Sequence, residues 1–201
     1  MKKGEPAKRG DIYREDEDTR LMLAFQEGSR AAFEQLVTRN QERVFRLAMR
    51  YVGDASTAED ITQEVFVRVF NAGENYQPTA RFTTWVYRIT VNLSLNALRD
   101  SQGRPEVPLD GEMEWTLAVR GNPGSEEAGA EMESEELSEA VARVVKGLPE
   151  AQRTVLLLRR YEEMSYEEIG ELMGKAATAV KSLLARARQN LRAALRKHLE
   201  S

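Results

Sequence analysis

Residues 165–198 read SYEEIGELMGKAATAVKSLLARARQNLRAALRKH, and this stretch decides the fold. Ser165, with Glu168 three residues on, has the form of a capping box that opens a short helix. Ile169, Leu172 and Met173 give that helix an apolar side, and Gly174 stops it. A long helix is expected from about 177 to 198. With Val180 as origin, Leu183, Leu184, Ala187, Leu191 and Leu195 lie within about 60° on either side. Lys181, Arg188, Arg192 and Arg196 gather on one flank, with Arg186 and Lys197 on the other. A capped short helix, a glycine turn and a long basic helix form the pattern of a helix-turn-helix. The apolar stripe anchors the helix, and its first turns are free to enter a major groove. The competing reading is a cationic amphipathic helix lying on an acidic protein or membrane surface. That reading leaves the preceding helix and turn without a role.

Upstream, Val141, Val144, Val145 and Leu148 fall at helical spacing, and a further helix is expected from Glu150 to about Tyr161. Residues 101–135 differ from everything around them. They hold five of the 13 glycines, three of the six prolines and a net charge of −7, which marks a flexible acidic linker. Residues 19–100 again read as helices. Phe33, Leu36, Val37, Val44, Leu47 and Tyr51 share one stripe, which Gly53-Asp54 ends. Ser56 with Glu59 suggests a second capping box. That helix is expected to end near Asn71, with a loop over 74–80 and another helix over 81–99. Residues 1–18 are polar and charge-mixed, and disorder is expected there. The fold class is all-α: two small helical domains, 19–100 and 136–201, on a flexible tether.

Composition removes whole classes of chemistry. The 201 residues include no Cys and one His, His198. Disulfides, thiolate metal sites and a Cys nucleophile are excluded, and a His-based metal site lacks its ligands. Helical carboxylate metalloenzymes need Glu-x-x-His pairs, but Leu195 stands three residues before His198. The opening MKKGEPAKRG has no apolar core, so a secretory signal is not expected. No apolar run is long enough to span a membrane, and the expected compartment is the cytoplasm. The net charge of −4 conceals a cationic end: Lys175, Lys181, Arg186, Arg188, Arg192, Arg196 and Lys197 occur without an intervening acid. This is a candidate polyanion footprint.

Two helices of the first domain carry unusual faces. On helix 56–71, Ile61, Val65, Phe66, Val69 and Phe70 cover about half the circumference. Asp60, Gln63 and Glu64 occupy the other half with Val67 among them, which suggests an interface with an apolar centre and a charged rim. One exposed Val is equally compatible with an ordinary surface. On helix 81–99, Arg81, Arg88, Asn92 and Arg99 fall within about 40° of one another, flanked by Trp85 and Asn96. No acid occurs between Glu74 and Asp100. Arginine suits phosphate, Asn suits base edges and Trp suits stacking on an unpaired base. The alternative places Trp85 in the core.

The segments AEDITQEVFVRVF (58–70), RFTTWVYRITVNLSLNALR (81–99), LPEAQRTVLLLRRYEEMSYEEIGELMG (148–174) and VKSLLARARQNLR (180–192) occur in that order. Together they resemble bacterial sigma factors of the sigma-70 family, most closely the extracytoplasmic-function (ECF) group, which keeps regions 2 and 4 only. The resemblance implies that Asp60, Gln63, Glu64, Phe66 and Val67 dock on the largest subunits of core RNA polymerase. It implies that Asn75, Tyr76, Pro78, Thr79, Arg81, Trp85, Arg88, Asn92, Asn96 and Arg99 hold the single-stranded −10 promoter element. Lys175, Thr178, Lys181, Ser182, Arg186, Arg188 and Arg192 would meet duplex −35 DNA. An anti-sigma factor is an implied partner; a membrane partner, a cofactor and catalysis are not. Two positions depart from the family pattern. Leu183 stands where the family commonly has Arg, and Gln77-Pro78 stand where the loop commonly has Arg-Gly.

The reading from the residues leaves a second class open, a stand-alone helix-turn-helix regulator whose first domain senses a ligand or dimerises. It accounts for helix 177–198 and leaves the Arg81–Arg99 face idle.

Overall fold

The computed structural model describes residues 12–100 and 141–199. Most of the tail 1–18 and the whole linker 101–135 lie outside the described residues. A 3-10 turn over Ile12–Glu15 leads into α1 (Glu17–Gln26), so residues 12–18 are ordered where disorder is expected. The cause is local: Asp16 caps α1 by accepting from the Thr19 backbone N–H at 3.0 Å. α2 (Arg30–Val52), α3 (Ala55–Ala72) and α4 (Phe82–Asp100) complete the first domain. Residues 141–146 are helical, and α5 (Glu150–Tyr161), α6 (Tyr166–Met173) and α7 (Ala177–Leu199) form the second. Among the described residues there is no strand.

The element boundaries follow from their end groups. Ser29 caps α2 through its hydroxyl, and Gly53, in the left-handed region at φ 75°, ends it. α3 starts at Ala55 because Asp54, not Ser56, is the cap, its carboxylate accepting from the Thr57 N–H at 2.7 Å. Hydrogen bonds from Thr57 hold the Asp54 carboxyl below its usual range. Gly73 follows α3 because a Cβ there would lie 2.5 Å from Cε1 of the Phe25 ring. The capping box of α6 forms as expected. The Glu168 N–H donates to Ser165 Oγ at 3.1 Å, and Ser165 N–H donates to Glu168 Oε2 at 2.8 Å. Gly174, at φ 65°, ends α6.

The first domain buries Met22, Leu36, Val44, Ile61, Val65 and Phe82 in a core made by all four of its helices. Each such side chain contributes about 1.5–3 kcal/mol relative to exposure. A second cluster does not respect the domain boundary. Leu47 and Tyr51 of α2 and Tyr87, Val91 and Leu95 of α4 join Val155, Leu157 and Leu158 of α5 and Met164, Ile169 and Leu172. The two helical domains therefore share an apolar core along the seam where α4 meets α6. A reading of each helix by itself carries no information about this seam.

Candidate nucleic-acid interface

Three surfaces carry the residues singled out in the sequence. The first is the outer side of α3. Ile61, Val65 and Val69 face the core, which turns Asp60 and Gln63 to solvent and leaves Glu64 half-exposed. Glu64 accepts from Arg68 Nε at 2.7 Å, one turn along the helix. Val67 lies in the middle of this face at 52% exposure, which is the arrangement read from the helix count. Phe66 corrects the family-based assignment. It is buried at 8% exposure in the first core, because its position falls on the inner half with Ile61, Val65 and Val69. The sequence reading missed Phe70. It is 52% exposed and closes a ring cluster with Phe25 at 5.2 Å and Phe33 at 5.2 Å. Its place at the edge of the apolar half was the available signal.

The second surface is α4 with its preceding loop. Tyr76, Phe82 and Trp85 form an aromatic triad with centroid distances of 5.2 to 6.4 Å. Tyr76 is buried in it at 7% exposure, so its ring is not presented to the single-stranded −10 element in the way the family resemblance implies. Burial also pushes its phenol above the ordinary range. Trp85 is half-buried. The loop is tied to α1 by the Gln26 amide, which donates to the carbonyls of Glu74 at 2.9 Å and Tyr76 at 3.2 Å. Asn75, Thr79, Arg81 and Arg88 are exposed, and Pro78, Asn92 and Asn96 are half-buried. Asn92 Oδ1 is buried and has no hydrogen-bond partner.

Arg99 departs from the rest of this face. Its side chain is 7% exposed, and its guanidinium donates to Asn96 Oδ1 at 3.2 Å and to Glu150 Oε2 at 3.0 Å. In this conformation it is not available to an external phosphate. The helical spacing with Arg81, Arg88 and Asn92 is as expected; the partner, 51 residues away, is what differs.

The third surface is α7. Val180, Leu184 and Ala187 are buried, and Leu183 is half-buried against the shared core. Leu183 thus packs inward at the position where the family commonly has Arg. Lys175, Thr178, Lys181, Ser182, Arg186, Arg188 and Arg192 are all exposed. The Ser182 hydroxyl donates to the Thr178 carbonyl at 3.1 Å. The Lys181 ammonium lies 5.3 Å from the centre of the Tyr166 ring, which fixes its approach to the turn. The turn itself is tight. A Cβ on Gly170 would come 2.5 Å from the Lys175 carbonyl oxygen. This geometry can place cations and hydroxyls in a major groove and along its phosphates.

Among the described residues no group of His, Cys, Asp or Glu side chains could hold a metal ion. Among them, too, no helix is long and apolar enough to cross a membrane.

Known proteins match this arrangement. The family model for sigma-70 region 2 matches residues 36–104, and that for sigma-70 region 4 matches 138–191. The RNA polymerase sigma-H factor of Pseudomonas aeruginosa is 33% identical over 186 residues, covering 90% of this chain and 95% of the relative. The ECF RNA polymerase sigma-E factor of Escherichia coli K12 is 34% identical over 174 residues, covering 86% and 91%. Among solved structures, CnrH in complex with the cytosolic domain of CnrY matches with a TM-score of 0.65 at 24% identity, covering 90% of this chain and 99% of that one. The sigma factor RpoE of Bartonella quintana, solved with the anti-sigma factor NepR, matches with a TM-score of 0.57 at 20% identity, covering 82% and 96%. These two likenesses concern the fold. The helix-turn-helix, the α4 face and the matched regions together place the chain in the sigma-70 family, as an RNA polymerase sigma factor of the ECF group.

Proposed function

We propose that the chain binds core RNA polymerase and directs it to promoters in which it reads both a −35 and a −10 element. Its domains in that role are region 2 over 19–100 and region 4 over 136–201, joined by the acidic linker 101–135. Asp60, Gln63, Glu64 and Val67 form the docking face for the largest polymerase subunits. Its charged rim around an exposed apolar residue suits a reversible protein contact. Phe66 supports this face from inside.

Lys175, Thr178, Lys181, Ser182, Arg186, Arg188 and Arg192 meet duplex −35 DNA. Asn75, Thr79, Arg81, Trp85, Arg88, Asn92 and Asn96 hold the separated non-template strand at −10, with Tyr76 and Pro78 shaping the loop. An unpaired base stacked on an aromatic ring gains about 1–3 kcal/mol, enough to shift strand opening about tenfold or more. The chain performs no catalysis, acts in the cytoplasm, and has an anti-sigma factor as a further partner.

The observation that carries this reading is the exposure of Lys175 in the turn and of all six α7 residues over a buried Val180, Leu184 and Ala187. A stand-alone regulator would use α7 alike, so the test includes the polymerase. Purified chain and core polymerase are assayed for run-off transcription and for permanganate reactivity of −10 thymines. Promoter-specific transcripts that need both components are expected. Arg88→Ala is expected to lower thymine reactivity while recruitment persists. Tight, sequence-specific promoter binding by the free chain, with no polymerase-dependent transcription, would favour the regulator.

A further inference from the structure

Gln26, the last residue of α1, is exposed, yet its amide is fully engaged. Nε2 donates to the Glu74 carbonyl at 2.9 Å and to the Tyr76 carbonyl at 3.2 Å, two acceptors for the two protons of one NH2 group. These carbonyls lie at the C-terminal end of the 3-10 turn Gly73–Asn75, where the backbone has no acceptor partners of its own to offer. They flank Asn75, whose side chain is exposed. One amide therefore fixes the peptide groups on both sides of a residue assigned to the −10 strand.

The platform behind that amide is rigid. Asp18 ties α1 to α2, its carboxylate accepting from Arg39 Nε at 2.7 Å and from Asn40 Nδ2 at 3.2 Å. Met22, one turn before Gln26, is fully buried. Phe25 packs its ring so closely on Gly73 that a Cβ there would lie 2.5 Å from Cε1. The loop is stiffened from within as well. The Tyr76 N–H donates to the Gly73 carbonyl at 3.3 Å and the Thr79 N–H to the Gln77 carbonyl at 2.8 Å. Pro78 fixes its own φ and holds Gln77 away from helical backbone. A loop ordered in advance spares the strand the entropy of ordering it on binding.

We propose that Gln26 is a positioning residue of the −10 site: its amide splints the loop to α1 and sets where Asn75 meets the unpaired base. Gln26 touches no nucleotide itself. Its effect on the strand passes through the backbone on either side of Asn75. The inference rests on the assignment of loop 74–80 to the −10 strand.

The test uses the full chain bound to core polymerase. The probe is the non-template −10 oligonucleotide of a promoter that yields run-off transcripts. Gln26→Met keeps the length of the side chain and removes both donors. It is expected to lower strand affinity about tenfold, the factor that one to two net hydrogen bonds supply. Affinity for duplex −35 DNA and the melting temperature are expected to hold, because Gln26 is exposed and lies outside α7. A double-mutant cycle separates positioning from general stability. In an Asn75→Ala background, Gln26→Met is expected to cost about twofold or less, because the side chain it positions is gone. In an Arg88→Ala background the full factor is expected, because Arg88 belongs to α4 and not to the loop.

Equal losses in all three backgrounds would overturn the positioning role and make Gln26 a stabilising residue. Full strand affinity in Gln26→Met, with Asn75→Ala still impaired, would also overturn it while the loop assignment stands. Full strand affinity in Asn75→Ala would place the failure in the loop assignment itself, and the inference would fall with it.

Discussion

Tyr51 of α2 donates its hydroxyl to Thr154 Oγ1 of α5 at 3.0 Å, a buried hydrogen bond joining groups 103 residues apart in sequence. Tyr87 makes the companion bond to Glu162. Burial pushes both phenols above their ordinary 10.0, and the Glu162 carboxylate adds to this at Tyr87. Unfolded tyrosines ionise near 10.0, whereas these two stay protonated in the folded chain. Their contribution is therefore complete below pH 10 and is lost as pH rises above it. The melting temperature should fall from pH 9.5 to 11, and Tyr51→Phe/Tyr87→Phe should flatten that fall. Equal slopes in the two proteins would show that the phenols are not the linked groups.

Gly170 and Gly73 provide a matched pair of tests. An added Cβ meets the Lys175 backbone carbonyl at Gly170, but only the edge of the Phe25 ring at Gly73. A side chain can swing aside and a helix-turn-helix backbone cannot. Gly170→Ala should cost about 1–3 kcal/mol or more, and Gly73→Ala clearly less. Urea titrations of both variants check the order; a reversed order would mean that the turn relaxes more easily than the ring.

Val67→Asp should weaken core polymerase binding strongly, and Asp60→Ala with Glu64→Ala should weaken it too. Asp60 and Val67 are exposed and Glu64 is partly exposed, so helix content should persist and stability should change by about 0.5 kcal/mol or less for each substitution. Pull-down against core enzyme, paired with circular dichroism, measures this. Loss of helical signal would make the α3 face structural.

Lys181→Ala and Arg188→Ala should each weaken duplex −35 binding in the polymerase complex. A residue that touches phosphate should also reduce the salt dependence by about one unit of slope. Affinity and slope both unchanged in Arg188→Ala would remove that flank of α7 from the DNA face.

Local features were legible in the sequence because local chemistry sets them. Ser165, Glu168 and Gly174 define α6 whatever surrounds them. Near Asp54 two candidate caps lie two residues apart, and the earlier, charged one captures the helix start. The α7 stripe was legible because its period repeats over six turns. Arg99, Tyr76 and the seam were not. Arg99 has the spacing of its exposed neighbours, and only Glu150, from another helix, explains its burial. Tyr76 is covered by Phe82 and Trp85, a packing that no helical period encodes for a loop residue. Glu150, Glu162 and Glu168 read as solvated acids until the partner helix is known.

The shared apolar cluster has a calorimetric consequence. Two domains that touched only through a tether would melt independently, in two transitions. With Leu47, Tyr51 and Leu95 packed in the same cluster as Val155, Leu158 and Ile169, loss of either half strips packing from the other. Heat should therefore unfold the chain as one cooperative unit, with van't Hoff and calorimetric enthalpies in agreement. Prying the seam apart with Glu150→Gln/Glu162→Gln should split that single endotherm into two.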